Sequence, residues 1–400
     1  MAAPLPRAVK TLGLVSLLTD ASSEMIYPLL PAFLTGTLKA GPAFLGVVEG
    51  LAEAVAAFVK IGSGALSDRV ARRKPVVVAG YGLSSLMRPL VALATAPVHV
   101  LAVRVLDRVG KGVRSAPRDA LLAEVTAPED RGRAYGFHRA MDHTGAMIGP
   151  LLATAALLVV HDLRTVFALA AIPAALAMAA LVFRVHEPTR KVVAPPAPRA
   201  SVATAPADLG GRPFRLYLLV LAVFTLGNSS DAFLLLRAQE TGVALAFIPL
   251  LWAFHHLVKA ATSILGGTLS DRWGRRRAIL GGWAVYVLAY AGFALARSPL
   301  QVVSLFGVYG LFHALTEGPE RALVADLTGS EGRGRAFGLY HAVTGAMLLP
   351  ASLLTGVLWQ EYGAATALGA GALTAAVAAL GLWLLVPERS TSSPSSTAGI

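Results

Sequence analysis

Cysteine is missing from this chain of 400 residues, and charged residues are scarce. The absence of cysteine excludes a disulfide framework, a thiolate metal site and a cysteine nucleophile. Charged residues make up 14% of the chain, whereas a soluble domain carries about 25%. Apolar residues make up 55%, and the mean hydropathy is +0.63. This composition excludes an ordinary soluble enzyme, and we expect lipid to surround most of the chain.

The apolar residues fall in twelve runs, each long enough to cross about 30 Å of hydrocarbon as a helix. A segment rich in Pro, Ala and Gly, typical of a linker, separates the first six runs from the last six. The sequence therefore predicts an all-α membrane protein with twelve transmembrane helices in two pseudo-symmetric six-helix bundles. We number these spans 1 to 12 and expect them near residues 10–34, 43–66, 76–96, 98–116, 134–160, 164–184, 214–237, 244–269, 278–296, 299–320, 336–358 and 363–386.

Four regions follow from this division. The predicted N-terminal bundle covers residues 1–186 and the C-terminal bundle covers residues 214–389. A cytoplasmic linker at 187–213 joins them, and a Ser- and Thr-rich tail at 390–400 is expected to be disordered. The first apolar run contains acidic residues, so we interpret it as a retained membrane helix rather than a cleaved signal.

The net charge of +12 resides in short basic clusters between the apolar runs, not in a separate polar domain. This placement predicts no nucleic-acid partner. Loops that face the cytoplasm are enriched in Lys and Arg. The clusters therefore place both termini and the linker in the cytoplasm. We expect a monomeric multi-pass protein of the inner membrane. The opposite side carries only Lys39, Arg164, Arg237 and Arg297.

Three segments of the first half recur in the second half, in the same order and at nearly constant spacing. Such agreement makes chance unlikely and predicts two parallel copies of one six-helix unit. Internal repeats of this kind underlie carriers that work by alternating access. The pairs are Ser63–Lys74 with Gly266–Arg277, Arg131–His138 with Arg333–Tyr340, and Ser22–Glu24 with Ser229–Asp231.

The loop between spans 2 and 3 has the sequence Gly64-Ala-Leu-Ser-Asp-Arg-Val-Ala-Arg-Arg-Lys74. It resembles the signature of the major facilitator superfamily of secondary transporters, with Ala71 in place of the second glycine, and its copy keeps that glycine as Gly274. The resemblance extends from about residue 10 to 388 and implies transport by alternating access. An ordinary basic loop would explain the arginines but not the aspartate. The resemblance implies a cytoplasmic gate formed by Asp68, Arg69, Asp271 and Arg272.

Two further motifs resemble the superfamily. Arg104 begins a stretch of span 4 similar to a pattern associated with proton coupling, although Asp107 and Arg108 replace its Gln and Gly. Gly145-Ala-Met-Ile-Gly-Pro150 in span 5 is similar to a motif of the proton-antiporter branches, without its final glycine pair. This similarity implies export in exchange for protons. Close helix packing is the alternative explanation for these glycines.

Several spans carry ionisable residues near their middle, where each costs roughly 2.5–3.5 kcal/mol. Such residues predict either a wet cavity or mutual pairing. We expect Asp107 to pair permanently with its neighbour Arg108, whereas Glu24, Glu49 or Glu53 could bind and release protons. The alternative is that the charges only hold helices together. The predicted proton and substrate residues are Asp20, Glu24, Glu49, Glu53, Arg88, Arg104, Asp107, Asp231 and His255.

Motifs for other chemistry are missing: the sequence has no phosphate-binding loop, no H-E-x-x-H and no G-x-S-x-G. We therefore predict neither an enzyme nor a cofactor, and H⁺ as the coupling ion. The expected function is proton-coupled export of a small polar or charged molecule across the lipid bilayer. One alternative is import of a small organic solute by symport. The other is export of a divalent metal or its chelate, with Asp20, Glu24, Glu49, Glu53 and His143 as conceivable ligands but no dedicated metal site.

Overall fold

The computed structural model describes residues 5–70, 72–127, 130–185, 187, 211–328 and 333–387. These ranges are almost entirely helical, and no β-strand occurs within them. The α-helices are α1 (Arg7–Ile26), α2 (Leu30–Ala32), α3 (Pro42–Arg69), α4 (Lys74–Leu90), α5 (Pro97–Glu124), α6 (Arg131–Val160), α7 (Leu163–Leu169), α8 (Ala171–Arg184), α9 (Gly211–Gly227), α10 (Ala232–Glu240), α11 (Ile248–Trp273), α12 (Arg275–Leu295), α13 (Pro299–Thr328), α14 (Arg333–Tyr362) and α15 (Ala364–Leu385).

These helices form twelve rods, which confirms the predicted twelve-helix architecture. Span 1 combines α1, α2 and the helical turns that follow them to Thr37, span 6 combines α7 and α8, and span 7 combines α9 and α10. Each remaining span is a single α-helix. Most of the predicted linker and the whole tail lie outside the described residues, although α9 already begins at Gly211.

In the described part of the chain, nine spans are long and apolar enough to cross a membrane by composition alone. Spans 1, 2 and 4 are not among them, and each carries ionisable residues near its middle, such as Asp20, Glu49 and Asp107. Because lipid penalises such groups, these spans must present them to partners or to water. The charge content thus marks the helices of the N-terminal bundle that line the centre of the molecule.

The interior of the C-terminal bundle is packed by aromatic rings. Phe224 stacks on Trp283 with ring centroids 4.2 Å apart, and Tyr286 stacks on Tyr290 at 4.1 Å. All four side chains are buried. Aromatic pairs of this geometry contribute about 0.5–1.5 kcal/mol beyond the burial of their area. The C-terminal bundle therefore has an apolar interior, whereas that of the N-terminal bundle is rich in ion pairs.

The two bundles meet along spans 2 and 11, where glycines allow the backbones to approach closely. Gly46 packs on the backbone of Ser352. A Cβ at Gly356 would lie 2.6 Å from the carbonyl oxygen of Pro42, and one at Gly345 would lie 2.5 Å from Cβ of Ala57. These contacts begin at the end of both spans that lies away from the arginine-rich loops. The structure is therefore closed along this seam on the side that the loop charges predict to be extracellular.

We expect Gly46→Leu to open this seam, because the added side chain would collide with the backbone of span 11. The measurement is oxidative cross-linking of Ala57→Cys with Gly345→Cys, scored by cleavage at a protease site inserted in the predicted linker. No other cysteine interferes, since the chain has none. The double-cysteine protein should cross-link once the two Cβ atoms move from 2.5 Å to the roughly 3.5–4.5 Å of a disulfide, and Gly46→Leu should lower the cross-linked fraction several-fold.

The matched control is Gly62→Leu on the same span, because no described atom lies within 4 Å of a Cβ at Gly62. Gly62→Leu should leave the cross-linked fraction unchanged. Equal cross-linking with and without Gly46→Leu would show that the glycine seam does not hold the bundles together.

Candidate functional site

A cavity of about 290 Å³ lies between the two bundles, and both bundles contribute its wall. All of its lining residues except Leu348 carry a polar or ionisable group, as is expected of a functional cavity in a membrane protein rather than of a packing defect. The N-terminal wall comprises Glu24, Tyr27, Glu49, Glu53, Arg108 and Lys111. The C-terminal wall includes Ser230, Asp231, Trp252, His256, Tyr309 and His313.

Span 7 is broken where it lines this cavity. Its first helix ends at Gly227 and its second begins at Ala232, although the sequence predicted one uninterrupted span. The serine hydroxyl of Ser230 accepts a hydrogen bond from the backbone N–H of Ala232 (3.3 Å), and Ser352 Oγ accepts one from the backbone N–H of Ser230 (3.3 Å). Side chains of this type compete with helical hydrogen bonds. Irregular backbone at membrane depth is tolerated where it lines a cavity.

Three arginines pair with three carboxylates inside the N-terminal bundle. Arg104 Nη2 lies 2.9 Å from Glu49 Oε1, and Arg88 Nε lies 3.0 Å from Asp107 Oδ1. Arg108 Nε lies 3.1 Å from Glu53 Oε1. These six side chains carry three positive and three negative charges, so they are neutral as a group.

These pairs differ from the predicted ones. Asp107 pairs with Arg88 on span 3 rather than with Arg108, because adjacent residues on a helix point about 100° apart. Glu49 and Glu53, which the sequence offered as proton carriers, each face an arginine. An opposite charge at this distance favours the ionised form of a carboxylate, so these two are less suited to bind a proton.

Asp20, Glu24 and Asp231 form a second class of carboxylate. Among the described residues, no Lys or Arg nitrogen lies within 4.0 Å of any of the three. Asp20 and Glu24 are one turn apart on span 1, and both are half-buried. A carboxylate in a membrane protein without a cation is costly while ionised, so these three residues are candidates to take up a proton.

Glu24 contacts the opposite bundle directly. Trp252 on span 8 donates a hydrogen bond from Nε1 to Glu24 Oε2 (2.8 Å). Beside it, the hydroxyl of Tyr27 lies 3.4 Å from Ser230 Oγ, and Ser230 Oγ lies 3.5 Å from Glu49 Oε2. Polar groups of spans 1 and 2 are thus joined to spans 7 and 8 across the boundary between the halves.

Sequence reasoning missed Trp252 and Lys111 as parts of the site. Trp252 lies three residues before His255, a spacing that places two side chains on the same helix face. Lys111 follows Asp107 by one turn on span 4. It was not singled out because several other charged residues lie close to it in the sequence. Glu320 was missed as well: it is buried in the C-terminal bundle and accepts hydrogen bonds from Trp283 (3.3 Å) and Tyr340 (2.9 Å).

His255 and His256 have different surroundings, as expected for neighbours on a helix. His256 lines the cavity, whereas His255 is 1% exposed and lies behind the cavity wall. The ring of His255 stacks on Trp252 (5.2 Å) and on Tyr309 (5.1 Å).

The predicted gate is only partly within the described structure. The side chains of Asp68 and Arg69 lie outside it. Asp271 and Arg272 are exposed, and Asp271 pairs with Arg275 of its own bundle. Near the first loop, Glu187 accepts hydrogen bonds from the backbone N–H groups of Arg73 (2.5 Å) and Lys74 (2.9 Å), which fixes the start of span 3. The role of these residues as a gate stays a prediction.

Comparison with known proteins agrees with this architecture. The Major Facilitator Superfamily profile matches residues 12–241 and 229–399. The chain is 35% identical over 366 residues to an uncharacterised MFS-type transporter of Methanocaldococcus jannaschii, covering 89% of each. It is 24% identical over 325 residues to multidrug resistance protein MdtH of Salmonella arizonae, covering 78% of this chain and 76% of MdtH. The crystal structure of nucleoside transporter NupG shares the fold, with a TM-score of 0.78, 15% identity and coverage of 96% and 100%.

Two six-helix bundles around one polar cavity define a multi-pass membrane transporter for small molecules, not an enzyme. The chain belongs to the Major Facilitator Superfamily. This result confirms the resemblance drawn from the loop motif and the internal repeat.

We expect Arg104→Gln to lower the free energy of unfolding by about 3–5 kcal/mol, because it leaves the buried carboxylate of Glu49 without its cation. The double variant Arg104→Gln with Glu49→Gln should recover part of that loss. The measurement is thermal unfolding of purified protein, arranged as a double-mutant cycle. Arg297→Gln, at an exposed loop position, is the control and should change stability by less than about 0.5 kcal/mol. A double variant as unstable as the sum of the single variants would contradict the pairing.

Proposed function

We propose that the protein is a proton-coupled antiporter that exports a small polar or charged molecule by alternating access. The observation that carries this proposal is the position of Glu24. Its carboxylate lines the cavity, has no Lys or Arg nitrogen within 4.0 Å among the described residues, and accepts a hydrogen bond from Trp252 of the opposite bundle.

Proton binding at Glu24 would act on the contact between the bundles. Hydrogen bonds to an ionised carboxylate are roughly twice as strong as those to a neutral group. Loss of the charge on Glu24 therefore weakens the bond from Trp252 and with it the link between span 1 and span 8. Asp20 lies one turn nearer to the N-terminal end of span 1, which carries Arg7 and Lys10, and offers the next position along a proton path.

Two observations favour export. The relative from Salmonella arizonae is named a multidrug resistance protein. The glycine motif of span 5 also packs directly behind the proposed proton site, where a Cβ at Gly149 would lie 2.9 Å from Cβ of Glu24. A charge that moves through about 100 mV releases roughly 2.3 kcal/mol, enough for about fiftyfold accumulation.

The proposal includes the orientation and assembly expected from the sequence. The protein acts as a monomer in the inner membrane with both termini in the cytoplasm, and H⁺ is its coupling ion. No cofactor or nucleic acid takes part.

Proton coupling is tested in proteoliposomes that contain a pH-sensitive dye and carry an imposed pH gradient. Drugs, organic acids, sugars and divalent metals are added in turn. Wild-type protein should move protons opposite to at least one of these compounds. Glu24→Gln and Asp20→Asn should each reduce that flux at least tenfold, because neither side chain can then release a proton. Glu361→Gln, which alters an exposed acid at the end of span 11, is the control and should transport normally.

Two outcomes of this transport assay would contradict the proposal. Wild-type flux in both Glu24→Gln and Asp20→Asn would remove these residues from the proton path. Movement of protons in the same direction as the solute would identify an importer by symport.

A second test needs no substrate. Protonation of Glu24 should change the fluorescence of Trp252, whose indole N–H it accepts. The rings of His255 and His256 also contact Trp252, so the comparison is between variants. We expect the pH-dependent change in tryptophan emission to be smaller in Glu24→Gln than in wild type and to disappear in Trp252→Phe, but to persist in Trp383→Phe, which removes an exposed tryptophan on span 12. An identical pH dependence in Glu24→Gln and wild type would show that Glu24 does not titrate in contact with Trp252.

A further inference from the structure

Three potential metal ligands converge at the C-terminal wall of the cavity: Asp231 and His313 line it, and His255 lies directly behind it. Asp231 lies at the break in span 7, His255 on span 8 and His313 on span 10. Their ligand atoms, one from each residue, all lie within 4.8 Å of one another. None of the five residues that the sequence offered as conceivable metal ligands belongs to this group.

Both histidines are oriented by an acceptor on the far side of the ring. Nδ1 of His313 lies 3.5 Å from Oε1 of Glu317, and Nδ1 of His255 lies 3.4 Å from the carbonyl oxygen of Phe306. A proton held on Nδ1 leaves the lone pair on Nε2, the arrangement found in most metal-bound histidines. Nε2 of His313 is buried and has no hydrogen-bond partner among the described residues.

A hydrogen bond holds the carboxylate of Asp231 in place, but no cation of the described residues pairs with it. The hydroxyl of Tyr309 donates a hydrogen bond to Asp231 Oδ1 (2.6 Å). No Lys or Arg nitrogen in the described structure lies within 4.0 Å of this carboxylate. The nearby cation Lys259 is instead paired with Glu317 (2.5 Å).

Aromatic packing alone does not account for this arrangement. Stacking of His255 on Tyr309 and its edge contact with His313 (5.3 Å) would hold the rings in place. Such packing leaves the unpartnered Nε2 of His313 and the uncompensated charge of Asp231 unexplained. A bound cation would satisfy both groups at once.

We propose that Asp231, His255 and His313 form a binding site for one divalent transition-metal ion. Two imidazoles and one carboxylate suit ions such as Zn²⁺, Co²⁺, Ni²⁺ and Fe²⁺, and they discriminate against Mg²⁺, which prefers oxygen ligands. Ligand atoms bound at about 2.0–2.2 Å to one tetrahedral ion lie about 3.3–3.6 Å apart, so the three side chains must draw together by roughly 1 Å around the ion.

Three protein ligands leave coordination positions that face the cavity. Water or the donor atoms of a small organic chelator would fill these positions. The inference thereby assigns a substrate class, a transition-metal ion alone or in a small chelate. The assignment of the metal ion as the transported substrate rests on the proposed transport function.

The test is metal binding by the full-length protein, purified in detergent and stripped of metal. Co²⁺ and Zn²⁺ are titrated by calorimetry, and the visible absorption of bound Co²⁺ reports nitrogen and oxygen coordination. Wild-type protein should bind one ion per chain, and excess Mg²⁺ should not displace it. Asp231→Asn and His313→Gln should each weaken binding at least tenfold. His341→Gln, which removes an exposed histidine from span 11, is the matched control and should bind as the wild type does.

Asp231→Asn preserves the shape of the side chain, so it keeps the test valid if His313→Gln fails to fold. Absence of one-to-one binding, equal affinity in Asp231→Asn and wild type, or displacement by Mg²⁺ would each overturn the metal site. Because binding is measured without a pH gradient, it is independent of the transport assay. If the protein binds no metal but proton flux is intact, the metal site is wrong and the proposed antiporter remains supported. If metal binds but no proton flux occurs, proton coupling is wrong and the metal site remains supported.

Discussion

An ionised side chain at the centre of a bilayer costs roughly 2.5–3.5 kcal/mol, and this cost constrains the whole structure. The N-terminal bundle meets it in two ways. Arg88, Arg104 and Arg108 each form an ion pair with a carboxylate about 3 Å away, so three positive and three negative charges neutralise one another. Among the described residues, Asp20 and Glu24 have no such partner, and they lie on the helix whose Glu24 contacts the opposite bundle. Pairing therefore supplies a stable frame, and the unpaired acids supply groups whose charge is free to change.

The two halves use equivalent positions for different chemistry. Glu24 and Asp231 end the same repeated Ser-Ser-acid segment, and the structure places them in opposite walls of one cavity. Around Glu24 the neighbours are charged groups of spans 2 and 4, whereas Asp231 is surrounded by Tyr309 and by histidines. The repeated segment therefore supplies the proposed proton site in one half and a ligand of the proposed metal site in the other.

Much of the fold could be predicted from the sequence, because helix number and the halves depend on local apolar runs and on repeated segments such as Ser63–Lys74. Long-range partners could not. The pairing of Asp107 with Arg88 depends on how spans 3 and 4 are rotated, and the pattern within span 4 suggested Arg108 instead. Likewise, the contact of Trp252 with Glu24 joins separate bundles, and nothing local to either residue indicates it.

Alternating access requires a cavity that opens to water from each side of the membrane in turn. The absence of cysteine allows a direct measurement, in which Asn228→Cys at the break of span 7 is treated with a charged, membrane-impermeant thiol reagent. We predict labelling from either face of oriented vesicles, with substrate and pH shifting the ratio between them, while Leu288→Cys on the outer surface stays unlabelled. No labelling of Asn228→Cys from either face, or labelling from one face under every condition, would contradict alternating access.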